Sequence, residues 1–320
     1  MDPQQITIPD KEEVRLAAER IRPYIHRTPV LTSRHLDERF GSSLFLKCEN
    51  FQKVGAFKAR GATNALLSLT PEERNKGVAT HSSGNHAQAL AWAAALQGCP
   101  AFIVMPSNSS RVKVEAVQQY GGQITFCEPT LRAREATLEQ VLEKTGAIEI
   151  HPYNNLRIIA GQSTAAQELI EEIPRLDIIL APVGGGGLLS GTALAAHYFS
   201  AGTRVFAAEP EQANDAWLSF TGGKLIPSVN PNTVADGLRT SLGTLTWPII
   251  KTFVSGIVTV SEKAIINAMR LVWERMKILI EPSAAVTVAA LLENKLDSRR
   301  KRVGIILSGG NVDLDNLPWK

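Results

Sequence analysis

The sequence predicts a doubly wound α/β protein carrying a large and a small sheet. Three observations predict it. Short apolar runs alternate with helix-period segments along nearly the whole chain. Glycine-rich or polar turns fall where a strand hands over to a helix. And 44% hydrophobic residues over 320 positions supply a core for one large or two modest domains.

The elements follow in order. Residues 7–24 read as a helix, because Val14, Ala17, Ala18 and Ile21 recur at helical spacing and Pro23 lies near its end. A strand is expected over 43–47 and a helix over 57–67. After Pro71 come a strand at 77–81, a polar turn, an alanine-rich helix at 87–97 and a strand at 100–105. A helix over 110–120 and a strand over 123–127 complete this stretch. Past His151 the pattern gives a helix at 164–173, a buried strand at 177–182 and a helix at 188–199 opened by glycines. Strands at 205–208 and 257–260, helices at 262–276 and 283–292, and a strand at 302–307 close the series. The spacings suit βαβ crossovers and hence parallel sheets. The expected division is a large domain from 1–70 plus 151–320, with 71–150 forming a small domain of its own.

Composition removes several function classes. The net charge is only +3, and the basic run Arg299–Arg302 stands at a strand entry without interleaved aromatics, so no nucleic-acid partner is expected. Cys48, Cys99 and Cys127 have neither metal-ligand spacing nor an even count. Free thiols in a reducing cytoplasm are expected of them. The N-terminal stretch lacks the apolar core of a signal peptide, and no apolar run reaches membrane-span length. A soluble, cytoplasmic protein without a membrane partner is expected.

Four segments carry chemistry. The strongest runs from Pro182 through Gly184, Gly185, Gly186 and Gly187 to Gly191, between a buried strand and a helix. Four residues without Cβ let backbone N–H groups crowd around a phosphate, and the helix start adds its positive end. The run is neither G-x-G-x-x-G nor a P-loop, which points to a monophosphate rather than a dinucleotide or ATP. A plain flexible turn would need one glycine, not four. The second segment, His81-Ser82-Ser83-Gly84-Asn85-His86, also joins a strand to a helix and suits a carboxylate. An ordinary N-cap explains it equally well, and His86 alone reads as a structural histidine. In the third, Gln52 to Ala62, Lys58 sits among small and apolar residues where desolvation would lower its pKa. By itself it is one lysine among many. The fourth, Ile305 to Asn311, brings the Ser308 hydroxyl to a buried strand end, where doubly wound sheets bind ligands.

Taken together and in this order, the motifs resemble the fold-type II pyridoxal 5′-phosphate (PLP) enzymes, whose fold is that of the tryptophan synthase β subunit. The nearest likeness is to the serine racemase and serine/threonine dehydratase group. It covers essentially the whole chain, from HRTPVLTSR through AFKARGA, SSGNHAQALA, the tetraglycine loop, TVADGL and LVWERM to LSGGNVD. Ala56 stands where many members have serine, which leaves the lysine of the motif in place.

The resemblance implies roles residue by residue. Lys58 would form the Schiff base with PLP, Gly184 to Gly187 would bind its phosphate, and Asn85 would bond its phenolic oxygen. Phe57 and Gly237 would flank the ring and Ser308 would face the pyridine nitrogen. A neutral hydroxyl there makes a weaker electron sink and favours elimination over transamination. The substrate carboxylate would lie on the Ser82, Ser83, Asn85 and His86 turn, with Arg134 near the pocket and able to receive a second carboxylate. Lys58 and Ser83 would act as bases on opposite faces. Dehydratases for threonine typically carry alanine at the Ser83 position, so this serine favours racemase capacity, although some hydroxyaspartate dehydratases share it.

The implied activity is therefore a serine racemase with serine/threonine dehydratase activity. The alternative is a dedicated L-threonine or threo-3-hydroxyaspartate dehydratase. Glu209, the Ala213 carbonyl and Asp215 match a divalent-cation site for Mg²⁺, or Ca²⁺ or Mn²⁺; without the resemblance they read as loop carboxylates. A homodimer is implied. Gln88, Tyr120, Lys277 and Asn311 match residues associated with ATP in animal racemases, but Arg34 and His35 replace smaller residues there and count against nucleotide activation.

Overall fold

The computed structural model describes residues 8–109 and 111–319. Its strands are, in chain order, β1 (Val30–Leu31), β2 (Ser43–Cys48), β3 (Val78–His81), β4 (Ala101–Pro106) and β5 (Gln123–Cys127). They continue as β6 (Ile148–Glu149), β7 (Ile178–Pro182), β8 (Arg204–Pro210), β9 (Gly256–Val260) and β10 (Arg302–Leu307). The helices begin with α1 (Lys11–Ile21), α2 (Arg34–Phe40), α3 (Lys58–Leu67), α4 (Pro71–Lys76), α5 (Asn85–Leu96) and α6 (Arg111–Gln119). Then come α7 (Leu131–Thr145), α8 (Leu156–Glu172), α9 (Gly187–Phe199), α10 (Asp215–Gly222), α11 (Thr246–Phe253), α12 (Glu262–Met276) and α13 (Pro282–Leu292).

The larger sheet has the order β1-β2-β10-β7-β8-β9. Only the short edge strand β1 is antiparallel to its neighbour; the other pairs are parallel. Parallel strands joined by crossover helices are covered on both faces, so they read as unbroken apolar runs rather than alternating ones. Accordingly β7 is buried throughout and β10 at every residue after Arg302. One face packs on α12 and α13 through Met269, Val272, Ala285 and Val288, the other on α8 and α9 through Ala166, Leu169, Leu189 and Ala193.

The smaller sheet, β5-β4-β3-β6, is wholly parallel, and its strands fall between Val78 and Glu149. Its core includes Ile103 and Met105 with Leu90 and Ala94 of α5 and Ala62 and Leu66 of α3. Helix α3 also presses on α8. A Cβ on Gly161 would stand 2.7 Å from the Cα of Gly61, so these two helices approach at backbone distance.

Several boundaries differ from expectation. The first helix is Lys11–Ile21, begun by a capping box in which Asp10 and Glu13 exchange side-chain-to-backbone bonds. Thr7 lies outside the described residues, as does Ser110 at the expected start of α6. Helix α8 starts at Leu156 rather than at 164, because the Asn155 side chain accepts from the amides of Arg157 and Ile158. Helix α5 starts at Asn85 rather than at 87, which places Asn85 and His86 in its first turn.

Candidate active site

The carboxyl ends of β2, β7 and β10 open on one edge of the larger sheet, and three of the chemical segments follow them directly. The segment before α3 is stitched to the one after β10: the Phe57 amide donates to the Ser308 carbonyl at 3.0 Å, and Ala56 bridges Gly309. Ser308 itself is buried.

Lys58 is the first residue of α3. Its Nζ donates to the Pro152 carbonyl at 2.8 Å and stands 5.1 Å from the centre of the Phe57 ring. Burial pushes the amine down to about 8, against the opposing pull of the Glu281 carboxylate. A lysine in that state is a usable nucleophile and base near neutral pH.

Two residues further on, Arg60 is fully buried between two carboxylates. It donates Nε and Nη2 to Glu49 at 2.7 and 2.8 Å, and Nη1 and Nη2 to Glu168 at 2.8 Å each. Lys47 joins Glu168 at 2.6 Å and the Thr28 carbonyl at 2.7 Å. Two cations and two carboxylates thus neutralise each other and fasten the Lys58-bearing turn to β2 and α8.

The tetraglycine loop leaves β7 and enters α9. Gly186 has φ +89°, a backbone that side chains resist. There is also no room for side chains. A Cβ on Gly185 would lie 2.3 Å from the Tyr153 ring, and one on Gly184 would lie 3.1 Å from the Gly237 carbonyl oxygen. The Thr246 hydroxyl donates to the Gly185 carbonyl at 2.8 Å, and the Gly237 amide donates to Ser283 Oγ at 3.1 Å. Backbone N–H groups of side-chain-free residues at the start of a 13-residue helix suit an anion. The cradle, the buried amine and the Ser308 strand end fit PLP.

Asn85 donates its amide to both oxygens of Glu281 at 3.1 Å and accepts from Asn311 Nδ2 at 2.9 Å. Glu281 precedes the first residue of α13 without a side-chain capping bond, is almost fully buried, and is pushed up to about 7 by burial against the Asn85 bond. The sequence reading missed Glu281, since a glutamate before a proline carries no mark of a partner 196 residues away.

In the 82–86 turn, the Ser82 amide donates to the Val104 carbonyl at 3.1 Å and Ser82 Oγ accepts from the Gly84 amide at 3.4 Å. Ser83 is half-buried. His86 is buried, and its Nε2 donates to the Ile150 carbonyl at 2.9 Å. Burial holds His86 well below the usual histidine range, so it is neutral. His151 lies beside this group: its Nδ1 accepts from the amides of Tyr153 and Asn154, and its ring stands 6.0 Å from that of His81. Arg134, on α7, leaves a buried Nε without a partner, and its charge helps burial push His81 down. The site therefore gathers Lys58, Asn85, Glu281 and the glycine loop, and Arg134 bears on the His81 side.

Glu209, at the end of β8, and Asp215, at the start of α10, are both buried. Glu209 accepts from the Trp217 amide at 2.5 Å, while Asp215 Oδ2 has no partner. Burial pushes Glu209 up to about 9, helped by the Asp215 charge, and Asp215 up to about 6. Two buried carboxylates with an unsatisfied oxygen, beside the buried Ala213 turn, make a hard-oxygen donor set fit for a divalent cation. Elsewhere, a cleft of about 350 Å³ is lined by residues including Phe51, Gly55, Lys277, Leu279 and Asn311; Gln88 and Tyr120 are not among its lining. Arg34 and His35 open α2, where Arg34 pairs with Glu38 at 2.8 Å.

Fold and site together define a PLP-dependent enzyme, and residues 21–309 match the family model described as pyridoxal-phosphate dependent enzyme. The chain belongs to that family. It is 52% identical over 312 residues to β-hydroxyaspartate dehydratase of Paracoccus denitrificans, covering 98% of this chain and 99% of that one. It is 51% identical over 309 residues to serine racemase of Arabidopsis thaliana, covering 95% and 93%. The crystal structure of serine racemase from Dictyostelium discoideum matches with a TM-score of 0.92 at 49% identity, covering 95% of this chain and 99% of that one. The protein is thus an enzyme of the PLP-dependent racemase and dehydratase kind. No helix among the described residues is long and apolar enough to cross a membrane.

Proposed function

We propose that the enzyme is a serine racemase that also dehydrates serine and threonine to 2-oxo acids and ammonia. The observation that carries this reading is Lys58, a buried amine lowered to about 8 beside a side-chain-free anion cradle. When bound, PLP supplies an electron-withdrawing system that acidifies the α-carbon of an amino acid. The chain supplies the rest. Gly184 to Gly187 hold the phosphate, Asn85 orients the phenolic oxygen, and Phe57 and Gly237 flank the ring. Ser308 presents a neutral hydroxyl to the pyridine nitrogen. The turn of Ser82, Ser83, Asn85 and His86 receives the substrate carboxylate at the start of α5.

Lys58 Nζ takes the α-proton on one face. Ser83 Oγ returns a proton on the other, which inverts the centre. Where the β-hydroxyl departs instead, it takes up a proton and leaves as water, so that the α-proton and the hydroxyl are lost together, and the unsaturated product hydrolyses to a 2-oxo acid and ammonia. Glu209, the Ala213 carbonyl and Asp215 hold Mg²⁺, or Ca²⁺ or Mn²⁺. The active form is a homodimer, and its place is the cytoplasm, a reading supported by three free, buried cysteines. Residues 71–150 form the small domain, and Lys277 and Asn311 on the 350 Å³ cleft are where ATP would act if it activates this enzyme. The deciding experiment incubates the purified holoenzyme with L-serine, L-threonine and threo-3-hydroxyaspartate and measures 2-oxo acid and enantiomer formation. No D-serine from L-serine would overturn the racemase assignment.

A second reading, a threo-3-hydroxyaspartate dehydratase, is favoured by the unpartnered Arg134 Nε near His81. On that reading Arg134→Met raises KM for hydroxyaspartate roughly tenfold or more while KM for serine stays put.

A further inference from the structure

We propose that Tyr153 is a positioning residue that couples the phosphate cradle to Lys58, so that seating the phosphate fixes the carbonyl on which the lysine amine rests. The proposal takes the cradle to be the phosphate site, as the functional reading does.

The observations converge on one short turn. The Tyr153 ring lies against Gly185 closely enough that a Cβ there would meet its Cδ1 at 2.3 Å, and a Cβ on Gly187 would meet Tyr153 Cβ at 3.0 Å. The Tyr153 hydroxyl shares a hydrogen bond with Thr240 Oγ1 at 2.8 Å, and Thr240 in turn lies 3.3 Å from where a Gly184 side chain would begin. Tyr153 and its hydroxyl partner therefore touch three of the four cradle glycines. The residue before it provides the Pro152 carbonyl that accepts from Lys58 Nζ at 2.8 Å.

The residue after it fastens the same turn to the far side of the cradle. Asn154 Oδ1 accepts from the Leu245 amide at 2.8 Å, and its Nδ2 donates to Thr244 Oγ1 at 3.1 Å. Thr246, next in that segment, donates to the Gly185 carbonyl at 2.8 Å. The turn is stiffened from within: the amides of Tyr153 and Asn154 both donate to His151 Nδ1, and the His151 and Tyr153 rings meet edge to face at 4.5 Å. A rigid turn whose middle residue touches the cradle and whose preceding carbonyl holds the amine transmits a shift at one to the other. A side chain that merely filled space would touch the glycines without also placing the lysine's acceptor.

The test uses holoenzyme bearing Tyr153→Ala, Tyr153→Phe or Thr240→Val. Three quantities are read: the ³¹P resonance of the bound phosphate, the cofactor dissociation constant, and the pH midpoint of the lysine-bound cofactor's absorbance band. Tyr153→Ala should shift the resonance, weaken cofactor binding roughly tenfold or more, and move the midpoint. Tyr153→Phe and Thr240→Val should give smaller, matching shifts that do not add in the double variant. The proposal is overturned if Tyr153→Ala leaves the midpoint at the parent value, whether or not the resonance or the melting temperature moves. Should the alanine variant not fold, an unmoved resonance and midpoint in both other variants overturn it equally. A parent protein showing no bound ³¹P resonance in saturating PLP would instead sink the functional reading.

Discussion

The side-chain amide of Asn85 donates to both carboxylate oxygens of Glu281, each at 3.1 Å. This pair joins the start of α5 to the start of α13. It also sets Lys58, because the Glu281 charge favours the ammonium form that burial disfavours.

Removing that charge should therefore lower the lysine further. Glu281→Gln is expected to move the pH midpoint for PLP capture by the cofactor-free protein from about 8 to a lower value. The sign follows from losing a negative neighbour that stabilises a cation. Capture followed spectroscopically from pH 6 upward reads the midpoint, and an unchanged or raised one would refute the coupling.

Ser83→Ala should abolish most D-serine formation from L-serine while leaving pyruvate release within about threefold of the parent. Chiral chromatography and a coupled pyruvate assay measure the two. Equal losses in both activities would mean that Ser83 is not a separate base.

Arg60→Leu should cost about 3–5 kcal/mol of unfolding free energy, since it leaves Glu49 and Glu168 facing each other in the interior without their shared cation. Arg60→Lys should recover little of it, because one ammonium cannot reproduce two bidentate pairings. Urea unfolding of the three proteins decides; a leucine variant as stable as the parent would show that the quartet is dispensable.

Magnesium should raise the melting temperature of the parent after EDTA treatment, and should fail to do so in Asp215→Asn. A parent whose melting curve is the same in EDTA and in millimolar Mg²⁺ has no cation at Glu209 and Asp215.

Much of this was legible in the chain, and the exceptions have physical causes. The helix Glu262–Met276 and the strand Arg302–Leu307 fall where periodicity places them, since one has a strong apolar face and the other a nearly continuous buried run. Helix α7 escaped notice because Leu138 is its one fully buried residue and its other large apolar side chains, Leu131, Val141 and Leu142, are exposed or only partly covered among charged and polar neighbours. The two-residue strand β6 is too short to carry a period. In the site, the glycines and Lys58 announced themselves through motif and order. Glu281 and Pro152 did not, because their parts are played by contacts across 196 and 94 residues, one of them through a main-chain oxygen any residue possesses, and Tyr153 meets the cradle only through tertiary packing.

The four glycines have one more consequence. A cradle built only of main chain offers nothing for substitution to adjust, so its grip on an anion cannot be graded from within. Any lineage or laboratory that needs a looser or tighter hold must work on the wall behind it, at Tyr153, Thr240, Thr246 or Ile250. The loop is the fixed part of the instrument, and its tuning pegs are elsewhere.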